Sequence, residues 1–93
     1  MKYTITESRF LSVIRKFIDN RLSTVEVEEE NGYFYWGRGT ECLMLFDSTN
    51  NSLFISNDFF TSISDIFGIP LHEVSVIFKD YMRDKGYNVM RII

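Results

Sequence analysis

The stretch Val25-Glu26-Val27-Glu28-Glu29-Glu30-Asn31-Gly32-Tyr33-Phe34-Tyr35-Trp36 decides how this chain is read. Valine alternates with glutamate from Val25 to Glu28, a period of two that belongs to a strand with one face on a core. Asn31-Gly32 then supplies the positive φ angles of a type I′ turn, the two-residue loop whose twist suits a hairpin. Such a loop fixes the register: Glu30 faces Tyr33, Glu28 faces Tyr35 and Val27 faces Trp36. One face then carries Val25, Val27, Phe34 and Trp36 and is the expected core side. The other carries Glu26, Glu28, Glu30, Tyr33 and Tyr35, which should be exposed.

Upstream, Phe10, Val13, Ile14, Phe17, Ile18 and Leu22 recur at helical spacing, with Ser12, Arg15, Lys16, Asp19 and Asn20 between them. This is an amphipathic helix, started either by a Thr4/Glu7 capping box or by Thr6 as cap, with Arg21 favouring the negative end of its dipole. Downstream, Gly37-Arg38-Gly39 reads as a flexible connection to a third strand, Cys42 to Phe46, and the turn-rich run 47–52 leads to a fourth, Leu53-Phe54-Ile55. The third strand is apolar on both faces and needs cover on both, either from helices on each side of the sheet or from another chain.

Asn57 is suited to cap a short helix with Phe59, Phe60, Ile63, Ile66 and Phe67, ended by Gly68. Pro70 fits the first turn of a longer helix holding Val74, Ile77, Phe78, Tyr81 and Met82, closed by Gly86. The tail from Tyr87 to Ile93 is β-like and should dock as a last strand. The expected fold is therefore α+β in the order α-β-β-β-β-α-α-β: an N-terminal helix, a four-stranded antiparallel meander-like sheet with its Asn-Gly hairpin, a helical hairpin and a C-terminal strand. Residues 1–93 make a single domain, since half this length falls near the size where one core stops sufficing.

Composition narrows the function classes. Hydrophobic residues are 45% of the chain and nine are Phe, enough apolar material for a core without cross-links. A net charge of −3 repels phosphate and argues against nucleic-acid binding by global electrostatics. One cysteine, Cys42, excludes an intrachain disulfide and reads as a small apolar residue of the third strand. Thr6, Glu7, Ser8 and Arg9 interrupt any leader-like stretch, and no apolar run approaches membrane length. The expectation is a cytoplasmic protein, in the host cell cytoplasm if phage-encoded, with no membrane partner.

Catalytic candidates are sparse. His72 is the sole histidine, and pairing it with Cys42 as a nucleophile would require the fold to join a strand and a helix start; an exposed first-turn residue is the simpler account of His72. The glutamates from Glu26 to Glu30 are explained by strand alternation. One Cys and one His cannot build a structural zinc site, and residues 47–51 lack the spaced acidic ligands, central Gly and closing Glu of a calcium loop. Gly37-Arg38-Gly39-Thr40 lacks the lysine and following helix of a phosphate loop. No metal, cofactor or catalytic residue is assigned, and the expected protein is not an enzyme.

Ile63, Ser64, Phe67, Gly68, Ile69, Val74 and Ile77 resemble the helix-turn-helix pattern over residues 63–77. That resemblance implies DNA binding through residues 60–85, with Leu71, His72, Ser75 and Val76 toward base edges and Lys79 and Arg83 near phosphates. Against it, the same helix carries Glu73 and Asp80, and base reading favours Arg, Lys, Asn and Gln. The opening Lys2-Tyr3-Thr4-Ile5-Thr6-Glu7-Ser8 resembles the starts of small uncharacterised phage proteins, which implies an accessory or virion component. The leading expectation is a non-enzymatic protein that binds a protein partner or itself through Glu28, Glu30, Tyr33 and Tyr35, where aromatic area lies beside negative charge. The alternative is the helix-turn-helix regulator.

Overall fold

The computed structural model describes residues 5–93 of the chain, with side chains from Phe10 onward. Helix α1 spans Ile5–Leu22, strands β1 and β2 span Val27–Glu30 and Tyr33–Trp36, and a 3-10 turn covers Gly39–Glu41. Strands β3 and β4 span Met44–Asp47 and Ser52–Ile55, helices α2 and α3 span Asn57–Phe67 and Leu71–Asp84, and β5 is Arg91–Ile92. The element order matches the expectation, and the class is α+β.

The sheet differs in detail from a four-stranded antiparallel meander. Among the described residues it has five strands in the order β1-β2-β3-β4-β5, and β5 runs parallel to β4, pairing Ser52 with Arg91 and Leu53 with Ile92. A parallel neighbour needs a long crossover, and α2 with α3 provides it. The first hairpin has the expected register, Glu30↔Tyr33, Glu28↔Tyr35 and Val27↔Trp36. Its turn residues Asn31 and Gly32 have φ of 54° and 87°. The third strand starts at Met44 rather than Cys42, because the Gly39–Glu41 turn occupies the connection expected to be flexible.

Capping also departs from expectation. Ser56, not Asn57, caps α2, its Oγ accepting from Phe59 N at 3.2 Å, while Gly68 ends the helix at φ 66°. Pro70 holds the cap position of α3, just before the first turn. Thr6 already lies within α1, and Thr4 of the alternative capping box lies outside the described residues.

One hydrophobic cluster joins all three helices to one face of the sheet: Ile14, Ile18 and Leu22 of α1, Phe59 and Ile63 of α2, Val74, Ile77, Phe78, Tyr81 and Met82 of α3, and Trp36, Met44, Phe46 and Leu53 of the strands. The sheet residues are those that strand alternation places on a common side. Tyr87, in the loop after α3, sets its ring edge-on to Phe34, Trp36 and Phe46 at centroid distances of 5.3, 5.3 and 5.6 Å. Edge-to-face packing of this kind adds about 0.5–1.5 kcal/mol per pair beyond area burial. Helices α1 and α3 are further tied by Arg15–Asp84 at 2.6 Å and by Asp19, which accepts from the Tyr81 hydroxyl and lies 3.6 Å from Lys85 Nζ.

The expected core side is only partly covered. Trp36 is buried, Val25 and Phe34 are half-buried, and Val27 is 50% exposed. The helix layer fails to extend over β1, so the outermost row of the sheet lacks a roof.

Gly37 has φ 93°, and a Cβ there would meet the Glu41 carbonyl oxygen at 2.2 Å, whereas at Gly68 a Cβ meets open space. Gly68→Ala should therefore cost about 1–2 kcal/mol, the left-handed penalty alone, and Gly37→Ala clearly more, because backbone must move; urea unfolding midpoints of the two variants check the order. Burial first, and then the hydrogen bond to Asp19, push the Tyr81 phenol above its ordinary value. The protonated form is thus favoured by folding, so this contribution is fully present below the ordinary phenol pKa of ~10 and is lost as pH rises beyond it. Tyr81→Phe should cost about 1 kcal/mol near neutral pH and should flatten the fall of thermal stability above about pH 10.

Candidate functional site

The residues that alternate with the core rows lie on the opposite side of the sheet, and the cluster holding α1, α2 and α3 includes none of Tyr33, Tyr35, Leu45 and Phe54. Strand pairing aligns Glu28, Tyr35, Leu45 and Phe54 in one row across β1 to β4. A second row runs Glu30, Tyr33, Asp47, Ser52 and Arg91 across all five strands. Among the described residues, the helices therefore leave this face open.

The two rows differ in chemistry. Tyr35 and Leu45 are half-buried and Phe54 is 41% exposed, a continuous apolar strip over three strands. Asp47 and Ser52 are buried but satisfied: Asp47 Oδ1 accepts from Thr49 N at 3.0 Å and Thr49 Oγ1 at 2.5 Å, and Ser52 Oγ accepts from Arg91 Nε at 3.1 Å. This polar row borders the strip and keeps the tight β3–β4 turn in shape.

Tyr33 and Tyr35 are half-buried rather than exposed, because their rings lean on each other at 6.4 Å and Arg38 lies over Tyr35 at 5.2 Å. Arg38 also donates from Nε and Nη2 to Glu28 Oε1 at 2.8 and 2.5 Å and stands 3.7 Å from Glu30. The acidic-aromatic face expected from Glu28, Glu30, Tyr33 and Tyr35 is thus assembled, with its charge partly neutralised. Arg38 was concealed by the two glycines beside it, which read as flexibility. Leu45 and Phe54 did carry a signal, the apolar character of alternate positions in the third and fourth strands.

The other candidates are dispersed. His72 is exposed in the first turn of α3, and Cys42 sits where the Gly39–Glu41 turn meets β3, its Sγ donating to Met44 O at 3.4 Å. Burial pushes the Cys42 thiol up, away from the thiolate a nucleophile needs. Leu71 is exposed beside His72, whereas Ser75 and Lys79 are half-buried and share a cleft of about 150 Å³ with Val76 and Ile92. Arg83 is exposed in the last turn of α3, next to Asp84 and three residues from Asp80. Three residues, Gly68 to Pro70, separate α2 from α3, and the side of α3 carrying Ser75 and Lys79 lies beside Ile92 of β5, with Glu73, Asp80 and Asp84 on the same helix. No group of three or more His, Cys, Asp and Glu side chains suited to a metal occurs among the described residues, and no described helix is long and apolar enough to cross a membrane.

Comparison of the chain with known family models, with curated proteins and with solved structures found no match.

Proposed function

We propose that this chain is a small non-enzymatic interaction or self-assembly domain whose open sheet face is the docking surface. The observation that carries the reading is the strip Tyr35-Leu45-Phe54, aligned across three strands and left outside the core cluster. Contiguous apolar area bordered by polar groups is the composition of a protein interface. Tyr33 and Tyr35 are rigid aromatic anchors, and Glu28, Glu30 and Arg38 form a charged rim that fixes orientation. A small accessory or virion component of a phage suits this role, on the resemblance of residues 2–8.

The alternative reading is a DNA-binding regulator using Leu71, His72, Ser75, Lys79 and Arg83. It draws on the left-handed Gly68 turn between α2 and α3. Asp80, Asp84 and the proximity of Ile92 to Ser75 and Lys79 weigh against it.

Light scattering on the purified chain separates self-docking from docking to another protein, since the monomer is 11.0 kDa. A dimer that Leu45→Ser or Phe54→Ser converts to monomer supports self-assembly through this face. For a monomer, the same substitutions should weaken a captured partner by ~10-fold, the effect expected of a central apolar contact. Unchanged mass and unchanged partner binding in both variants would sink the open-face reading. For the alternative, affinity for mixed-sequence duplex should fall steeply with added salt, and no binding at low salt removes it.

A further inference from the structure

A second concavity, of about 450 Å³, lies on the helix side of the sheet beside β1. Val25, Val27, Trp36 and Tyr87 line it between the ends of α1 and α3, which contribute Leu22 and Met82. Asp19 and Lys85 are at its margin and already engage each other at 3.6 Å. The groove exists because the helix layer stops short of β1, and it is why Val27 is half-exposed in an inward-facing row.

The strand beside the groove is an edge. Among the described residues β1 pairs only with β2, so alternate backbone N–H and C=O groups of Val27–Glu30 face outward, a template for one more strand. Glu26, Glu28, Glu29 and Glu30 are all exposed, and Arg38 is the cation paired with Glu28 and Glu30 among the described contacts. Four carboxylates against one guanidinium leave a local charge as large as the net −3 of the whole chain. A second copy pairing edge to edge would set glutamate against glutamate, so the edge rejects its own kind.

We infer that β1 and the adjoining groove take an extended basic segment of a different protein, added as a further strand. Alternation decides how its side chains divide. Those on the helix side meet Val25, Val27 and Trp36 and should be apolar except where they reach Glu29 at the turn end, while those on the other side meet Glu26, Glu28 and Glu30 and should be Lys or Arg. This surface shares the rim glutamates Glu28 and Glu30 with the open face but uses none of Tyr35, Leu45 and Phe54, and the inference stands without that strip.

Trp36 is the sole tryptophan and lines the groove, so its emission reports on occupancy. The probe is a blocked peptide of roughly eight residues, the length of an ordinary strand, alternating Lys and Val. It should shift Trp36 emission saturably, weaken as salt rises from about 50 to about 300 mM, and have its affinity reduced ~10-fold by either Val27→Ser or the double variant Glu28→Lys/Glu30→Lys. A Glu-Val peptide and a Lys-Val peptide N-methylated at alternate residues should not bind, and Phe54→Ser should leave binding unchanged. No shift with the Lys-Val peptide at low salt would overturn the inference. So would equal binding of the N-methylated peptide, which would mean charge adhesion without strand addition, and so would insensitivity to Val27→Ser.

Discussion

The turn at Asn31-Gly32 is the constraint on which the rest depends. With two residues at positive φ, it permits one register between β1 and β2, and that register assigns every side chain of the hairpin to a face. The assignment propagates, because Trp36 fixes the level of Met44 and Ile55, and Phe34 that of Phe46 and Leu53. The next turn is tied to the first, Ser48 donating from N and Oγ to the Gly32 carbonyl at 3.0 and 2.7 Å. A slip of one residue would move Trp36 and Phe34 out of the core and bring Tyr33 and Tyr35 in.

Once the faces are sorted, one layer of three helices covers one of them. Apolar residues on both sides of β3 then acquire different roles: Met44 and Phe46 close the core, and Leu45 continues an outward strip with Tyr35 and Phe54. The limited reach of the same layer leaves Val27 half-exposed and opens the groove at β1. Both surfaces follow from a sheet wider and more apolar than its single layer of helices covers.

Much of this was legible in the sequence because it is encoded locally. Hairpin register, the amphipathic helices and the Gly68 stop each rest on a few adjacent residues. The doubly apolar third strand also signalled a need for cover on both faces, from helices on each side or from another chain, and the helices turn out to cover one. What escaped is non-local. The parallel alignment of β5 depends on where α2 and α3 deliver the chain, and the burial of Tyr87 depends on three rings from two strands. Arg38 escaped because its contacts with Glu28 and Tyr35 arise from the 3-10 turn that follows it, in a segment whose glycines read as freedom. Ser56 displaced Asn57 as cap by a single residue, within the uncertainty of any boundary read from side-chain type.

Tyr87 has a consequence for the order of folding. The four-strand meander is made of neighbouring segments, the kind of contact that forms early. Its inner aromatic face nevertheless waits for a ring that arrives after α3, with Val89 behind it, fully buried. A growing chain can therefore hold its hairpins while Phe34, Trp36 and Phe46 still lack their edge-on partner. Completion of the core is thus coupled to synthesis of this distal segment, and a product cut short before Tyr87 presents three clustered rings, the kind of exposed surface that chaperones and proteases engage.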